Sequence, residues 1–175
     1  MRSVRLVRRG LELALVSTGI VLLFAIAVLV AVGVVLRKLG APIGWYDEIA
    51  GMLLAWLTWY GAALAALERA HLGMPDLVAL APPALRVPLV LVRAALVCGT
   101  MALVAWFGWQ IVAILGEEKL VTVPWLTVGV AQSAIPIAAA LFVLAELLTL
   151  PDRLAEARAG AAAKDPERIL LEAAR

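Results

Sequence analysis

Four long apolar blocks, separated by short polar stretches, leave little of this chain that could fold as a water-soluble domain. They cover residues 13–36, 49–67, 89–115 and 126–150, and the first contains no charged residue. A helix rises about 1.5 Å per residue and the hydrocarbon core of a membrane is about 30 Å thick, so about 20 apolar residues span it. The blocks therefore predict four transmembrane helices within a single membrane domain, residues 1–175.

The composition of the chain is also that of a membrane protein. Of its 175 residues, 65% are hydrophobic and 16% are charged, whereas soluble domains average about 45–50% and about 25%. A chain of this size cannot bury so much apolar surface inside itself, so the excess must face lipid. Membrane strands would alternate in polarity over about ten positions, but these blocks are apolar on every face. The sequence therefore predicts an all-α integral membrane fold.

The basic residues are unevenly divided between the two predicted sides of the membrane. If the N-terminus lies in the cytoplasm, twelve of the 15 Lys and Arg residues fall in the first segment, around the connection between helices two and three, and in the tail 151–175. The other side then carries only Arg37, Lys38 and Lys119. Because short loops rich in Lys and Arg stay in the cytoplasm, we predict that the N- and C-termini are both cytoplasmic.

Two cytoplasmic stretches have the pattern of short interfacial amphipathic segments. Near the start of the chain, Val4, Val7 and Leu11 share one helical face, and arginines occupy the other. The connection before helix three contains several prolines, which exclude one continuous helix there, and it is apolar at 77–80. We expect both stretches to lie along the membrane surface.

Residues that could support catalysis are scarce. His71 is the only histidine and Cys98 the only cysteine, so a cysteine-based zinc site is excluded and a serine nucleophile has no base at a suitable depth. There is no Gly-rich phosphate loop after a strand. The basic residues flank apolar blocks, which indicates contact with membrane lipids and not with nucleic acid. We therefore predict that the chain is not an enzyme and holds no cofactor or metal.

Polar residues in the middle of the predicted spans are few and uncharged. They include Ser17, Thr58, Thr100 and Ser133. A self-sufficient transporter usually places ionisable groups and broken helices near the midplane of the membrane. These spans therefore predict a protein that does not carry solute alone.

The second block contains the most informative pattern. Trp56 and Trp59 are three residues apart, so we expect them on one helical face, and they lie near mid-span, away from the interface that tryptophan prefers. Gly61, Ala62 and Ala65 form a strip of small residues where another helix could approach closely. We predict that this helix contacts another protein. The alternative is packing among the chain's own four helices.

The order of residues along 45–86 resembles the small, DctQ-type membrane subunit of tripartite ATP-independent periplasmic (TRAP) transporters. That family has about this length and four membrane helices. The resemblance is carried by Trp45, Asp47, Glu48, Trp56, Thr58, Trp59, Gly61, Ala62, His71 and Asp76.

The resemblance implies a non-catalytic scaffold subunit in a bacterial inner membrane. Such a subunit braces a large membrane subunit that carries out sodium-driven uptake of an organic anion delivered by a periplasmic solute-binding protein. The implied contacts are with that large subunit, the binding protein and membrane lipids. The candidate partner-interface residues are Glu48, Trp56, Trp59, Gly61, Ala62, His71 and Asp76.

Two other functions fit four apolar spans. One is the small four-helix subunit of a tripartite tricarboxylate transporter, against which the pattern in helix two argues. The other is a stand-alone small membrane channel or assembly factor. In the family that the sequence resembles, the binding protein and the large subunit determine which solute is transported.

Overall fold

The computed structural model describes residues 2–68 and 82–163, and these residues form helices joined by short connections. In chain order the helices are α1 (Arg2–Lys38), α2 (Tyr46–Leu67), α3 (Pro83–Leu115), α4 (Val128–Gln132) and α5 (Ala134–Ala163).

Four stretches are long and apolar enough to cross a membrane: Leu6–Lys38, Tyr46–Leu67, Leu85–Leu115 and Val128–Ala159. In the described part of the chain, β pairing is limited to one isolated bridge between Lys119 and Thr127. The prediction of an all-helical fold with four candidate membrane spans is therefore confirmed. The side on which the termini lie stays a prediction.

The first helix is longer than its apolar block. α1 runs without a break from Arg2 to Lys38, about 55 Å at the usual rise per residue. The residues predicted to form a separate surface segment make up its first turns, and their depth relative to the membrane stays a prediction. A helix of this length exceeds the hydrocarbon thickness, so α1 must tilt or protrude.

The fourth span is interrupted where the sequence carries Pro136. α4 ends at Gln132 and α5 begins at Ala134, with Ser133 between them. Proline has no backbone N–H and its ring clashes with the carbonyl four residues earlier, which here belongs to Gln132. The break thus lies where the proline forbids a regular helix. The Thr127 side chain caps the start of α4 by accepting a hydrogen bond from the Val130 N–H at 3.4 Å.

α5 continues past residue 150, where the fourth apolar block ends. The helix continues through Pro151 to Ala163, so the first half of the predicted tail is helical. Pro151 itself is exposed.

The helices form a layer in the order α1, α2, α5, α3. α5 packs against both α2 and α3, and α1 packs mainly against α2. In the most apolar stretch of the fourth span 44% of the residues are buried, against 11% or less in the other three spans. α5 is therefore the central helix, and α1 and α3 form the edges of the layer.

The core lies where α1, α2 and α5 meet. Leu15, Leu67 and Phe142 pack there with three fully buried alanines, which are Ala63, Ala66 and Ala145. Small side chains let helix backbones approach closely in a membrane, where packing replaces the hydrophobic effect between helices.

Arg8 joins the same three helices at the end of this core. Its Nη2 donates a hydrogen bond to the Leu67 carbonyl at 3.3 Å, and its Nη1 lies 3.5 Å from Asp152 Oδ2. The guanidinium therefore satisfies a carbonyl in the last turn of α2, where helix carbonyls have no partner within the helix.

At the other end of the layer, α1 and α2 meet at Gly33. A Cβ built on Gly33 would lie 2.8 Å from Cδ2 of the Tyr46 ring. Substitution of Gly33 by alanine is therefore expected to displace Tyr46 and to destabilise the α1–α2 contact by about 1 kcal/mol, at the lower end of overpacking costs.

The unfolding free energy in mixed micelles measures the effect of Gly33→Ala. Gly19→Ala is the matched control, because a Cβ there meets no atom within 4 Å. Equal stability of the two variants would mean that the Tyr46 ring does not pack closely against α1 at Gly33.

Candidate functional site

The predicted interface residues of α2 divide between two faces of the helix. Trp56 lies on the side of Ala63 and Leu67, which are fully buried against the rest of the chain. Gly61 is exposed and lies roughly on the opposite side, since five residues correspond to about 140° of helical rotation. Trp56 and Gly61 therefore do not lie on one continuous surface.

Trp56 makes a hydrogen bond within the chain. Its indole Nε1–H donates to the Ala131 carbonyl at 2.8 Å. Ala131 lies in the last turn of α4, just before the break at Ser133, where a carbonyl lacks the helical donor it would otherwise have. In a span without water, such a carbonyl must find a donor from a neighbouring helix. Trp56 supplies that donor, so for this residue the alternative of packing within the chain has direct support.

The remaining residues of the motif occupy intermediate positions. Trp59 is half-buried, and Ala62 packs against the core cluster where α1, α2 and α5 meet. Beside Gly61, Gly51 and Thr58 are also exposed, and a Cβ at either glycine would meet no atom within 4 Å. We call Gly51, Leu54, Thr58 and Gly61 the open face of α2. It runs along the helix on the side away from Trp56.

Glu48 is engaged at the other end of α2. Its Oε2 accepts a hydrogen bond from the Thr122 backbone N–H at 3.0 Å and another from the Thr122 hydroxyl. Thr122 belongs to the connection between α3 and α4, so this carboxylate ties that connection to the start of α2. The structure thus gives Glu48 a role within the chain, and its contact with a partner stays a prediction.

Two tryptophans add to the same link. The Trp45 and Trp125 rings meet edge to face, with centroids 6.1 Å apart and an interplanar angle of 82°. This is a preferred aromatic geometry. Trp125 remains largely exposed, whereas Val123 beside it is fully buried. The connections at this end of the layer are therefore packed against each other.

His71 and Asp76 lie outside the described residues, so the structure does not place them. Within residues 2–68 and 82–163, no group of three or more His, Cys, Asp or Glu side chains is arranged to hold a metal ion.

A buried charge cluster near the start of α3 was missed by the sequence reasoning. Glu146 of α5 is 1% exposed, and its Oε1 lies 3.4 Å from Arg93 Nη1 while its Oε2 lies 3.5 Å from Arg153 Nη2. The Thr149 hydroxyl, also buried, donates to the Glu146 backbone carbonyl at 3.1 Å. The cluster crosses between α3 and α5 and neutralises a carboxylate that would otherwise be isolated in an apolar setting.

A sequence signal for this cluster existed. Arg93 near the start of one span and Glu146 near the end of the next fall at similar depth when the two helices run antiparallel. Opposite charges at equal depth on antiparallel neighbours pair readily, because an unpaired charge inside a membrane is costly. The similar depth of Arg93 and Glu146 in neighbouring antiparallel spans could therefore have indicated that they pair.

Comparison with known families gives one match over most of the chain. A family model described as "Tripartite ATP-independent periplasmic transporters, DctQ component" matches residues 12–156. The matched region begins in α1 and ends in α5, and so takes in all four candidate spans. No curated protein matches the chain.

Proposed function

This chain belongs to the DctQ family, the DctQ component of tripartite ATP-independent periplasmic transporters, and on that premise we propose that it is the non-catalytic scaffold subunit that braces a large transport subunit. The family match is the observation that carries this proposal. It also separates the chain from the small subunits of tripartite tricarboxylate transporters, which the sequence left as an alternative.

The distribution of charge supports a bracing role. The central parts of the spans, residues 13–36, 49–67, 94–115 and 128–145, contain no Asp, Glu, Lys, Arg or His. Glu146, the most deeply buried carboxylate described, lies between two arginines of the same chain. A carrier would need polar groups facing a path for its solute. These helices offer packing surfaces instead.

The layered arrangement supports the same role. Because α1 packs mainly against α2 and α3 mainly against α5, the layer leaves broad surfaces for a partner or for lipid. We assign the large subunit to the open face of α2, where Gly51, Thr58 and Gly61 leave room for a helix to approach closely. Small residues at such positions are typical of helix–helix interfaces in membranes.

The other predicted contacts follow from this assignment. Ala62 and Trp59 would lie at the border of the interface. Trp56 and Glu48 would act indirectly, because their hydrogen bonds to Ala131 and Thr122 hold α2 in place against the rest of the chain. We retain His71 and Asp76 as candidate contacts on the strength of the resemblance.

The location and coupling follow from the family role. We propose a bacterial inner membrane with both termini in the cytoplasm, because the excess of Lys and Arg lies on that side. The large subunit would move an organic anion with sodium, and a periplasmic solute-binding protein would deliver the anion. The present chain would set the position of the large subunit without contacting the solute.

Co-purification tests the interface. Gly61→Trp fills the open face of α2 and should reduce the amount of large subunit recovered with the tagged chain at least threefold, while the chain itself still inserts. Gly19→Trp on α1 is the matched control, because a Cβ there, as at Gly61, would meet no atom of another helix within 4 Å. Equal recovery with the two variants would place the large subunit elsewhere.

Reconstitution tests the scaffold role itself. Vesicles that hold only this chain should show no solute uptake when a sodium gradient is applied. Vesicles that also hold the large subunit, with the binding protein added, should take up solute under the same gradient. Accumulation of solute by the chain alone would identify it as a carrier and overturn the proposal.

A further inference from the structure

An apolar groove runs along the flank where α3 packs against α4 and the start of α5. The groove has a volume of about 310 Å³. Its lining follows α3 from Thr100 to Ile111 and is completed by Gln132 of α4 and Ile135 of α5. The part along α3 is about 16 Å long at the usual helical rise. The groove is therefore long and narrow enough to hold one extended apolar chain.

The groove occupies one half of the membrane. The span Leu85–Leu115 has 31 residues, which is about 46 Å at the usual rise and exceeds a hydrocarbon core of about 30 Å. When this span is centred, Thr100 lies at the midplane and Ile111 lies close to the boundary with the headgroups. Trp109, which is 64% exposed, then lies at the level that tryptophan prefers. The groove thus extends from the midplane to one surface, as an acyl chain of a single leaflet does.

The mouth of the groove lies beside a close contact between the end of α3 and the start of α4. The Gly129 N–H donates to the Gly116 carbonyl at 3.2 Å, and a Cβ built on Gly129 would lie 2.8 Å from the Gly116 Cα. Ile111 precedes Gly116 by five residues and Gln132 follows Gly129 by three. Because the two helices run in opposite directions, Ile111 and Gln132 have similar depths, and Gln132 therefore lies at the mouth.

The Gln132 side chain places a polar group in this apolar groove. The residue is half-buried, and within the part of the chain that the structure describes its amide bonds no other group. A side-chain amide carries two N–H donors, and at the edge of the hydrocarbon these donors need an acceptor from a neighbour. The ester carbonyls of a phospholipid lie at this level and accept hydrogen bonds. The Gln132 amide can therefore donate to an ester carbonyl of a lipid whose chain lies in the groove.

Lys119 lies on the same side of the membrane, at the level of a lipid phosphate. It pairs with Thr127 in the isolated β-bridge, and Thr127 precedes Gln132 by five residues, about 7 Å along a helix axis. The headgroup layer extends about 5–7 Å beyond the hydrocarbon on each side. Lys119 is exposed, so its ammonium is free to bind a phosphate oxygen.

Two carboxylates precede Lys119 directly. Glu117 and Glu118 are both exposed, so this segment presents charges of both signs. An ethanolamine headgroup also carries both signs, and its ammonium donates hydrogen bonds to carboxylates. A glycerol headgroup leaves the lipid with a net negative charge and offers no cation to the two glutamates. The charge pattern therefore favours the zwitterionic lipid.

We propose that this groove binds phosphatidylethanolamine from the leaflet on the side of the connection between α3 and α4. One acyl chain fills the groove from Ile111 to Thr100, and the Gln132 amide donates to the ester carbonyl of that chain. Lys119 binds the phosphate. The chain, ester and phosphate follow one another from the midplane to the surface, in the same order and over the same distance as in a lipid leaflet.

Lipid retention by the full-length chain in mild detergent tests the site. Native mass spectrometry would compare three lipids of equal chain length, which are diacyl phosphatidylethanolamine, its dialkyl ether analogue and diacyl phosphatidylglycerol. We expect the ester lipid to be retained about threefold better than the ether lipid, which is the usual effect of one hydrogen bond inside a membrane. Phosphatidylglycerol should be retained less than phosphatidylethanolamine, because it has no ammonium for the two carboxylates.

Three variants separate the contacts. Gln132→Leu should retain the ester and ether lipids equally. Lys119→Gln should lower retention of both about fivefold, the effect of one basic residue at the headgroups, and Lys38→Gln at the exposed end of α1 is its control. Ile111→Trp fills the mouth and should lower retention of all three lipids about threefold or more, because the acyl chain loses packing contacts there. Ile114→Trp is its matched control, since Ile114 is 76% exposed and does not line the groove.

Several results would overturn the proposal. These are equal retention of ester and ether lipids by the unmodified chain, stronger retention of phosphatidylglycerol, and unchanged retention in folded Ile111→Trp. Loss of the large subunit from Ile111→Trp, with no lipid in the unmodified complex, would show that a partner helix fills the groove and would also overturn it. If Ile111→Trp does not fold, the ester and ether lipids decide the question in the unmodified chain and in Gln132→Leu.

Discussion

Substitution of Glu146 by leucine should destabilise the folded chain by about 3 kcal/mol. Removal of one member of a buried ion pair costs about 3–5 kcal/mol, because the opposite charge remains buried without a partner. The lower end of that range applies, since Arg93 is 32% exposed and can turn toward the headgroups, although Arg153 is only 14% exposed. The loss should appear in the unfolding free energy measured by detergent titration.

We expect this loss because the Glu146 carboxylate is buried between two arginines, and not simply because a carboxylate is removed. Glu117→Leu removes an exposed carboxylate from a connection and should change the unfolding free energy by less than about 0.5 kcal/mol, as is usual at the surface. Glu146→Gln should lose nearly as much as Glu146→Leu, because an amide cannot neutralise two guanidinium groups. A loss below about 1 kcal/mol in both Glu146 variants would show that the cluster does not hold α3 against α5.

A partial rescue should accompany the loss. In the double variant Arg93→Met with Glu146→Leu, one of the unpaired cations is gone and an apolar contact replaces the pair. Apolar replacements of a whole buried pair are often neutral or stabilising. The double variant should therefore be more stable than Glu146→Leu alone, and a further decrease would mean that Arg93 stabilises the chain independently of Glu146.

Substitution of Trp56 by phenylalanine should cost about 1–2 kcal/mol in the isolated chain. Phenylalanine keeps much of the aromatic surface but removes the N–H that reaches the Ala131 carbonyl at 2.8 Å. A buried acceptor without a partner costs about 1–3 kcal/mol, while hydrogen bonds between membrane helices have measured values below about 2 kcal/mol. We therefore use the lower values, measured for hydrogen bonds between membrane helices, for Trp56→Phe.

This substitution also separates two roles for Trp56. If the indole mainly satisfies the broken helix, Trp56→Phe lowers the unfolding free energy of the chain alone. If the indole mainly contacts a partner, the isolated chain keeps its stability and only co-purification of the large subunit decreases. Trp109→Phe is the control, because Trp109 is 64% exposed on α3 and should give little change in the isolated chain.

The sequence was informative about quantities that depend on length and average polarity. A stretch of about 20 apolar residues must cross a membrane as a helix, since backbone polar groups have no other partners there. The four spans and the all-helical fold therefore followed from the sequence. The family resemblance rested on the order of particular residues along 45–86, and the family match over residues 12–156 confirmed it. The interruption of the fourth span also has a local cause, because Pro136 cannot continue a regular helix.

The tertiary structure alone decided which face of each helix meets another helix. Lipid and protein interior are equally apolar, so a membrane helix carries almost no periodicity that separates the two environments. For this reason the sequence named both Trp56 and Gly61 as candidate interface residues without showing which face of the helix meets a partner, whereas the fold turns Trp56 toward Ala131 and leaves Gly61 open. The pairing of Glu146 with Arg93 depends on α3 and α5 being neighbours, and only the packed structure determines which helices are neighbours.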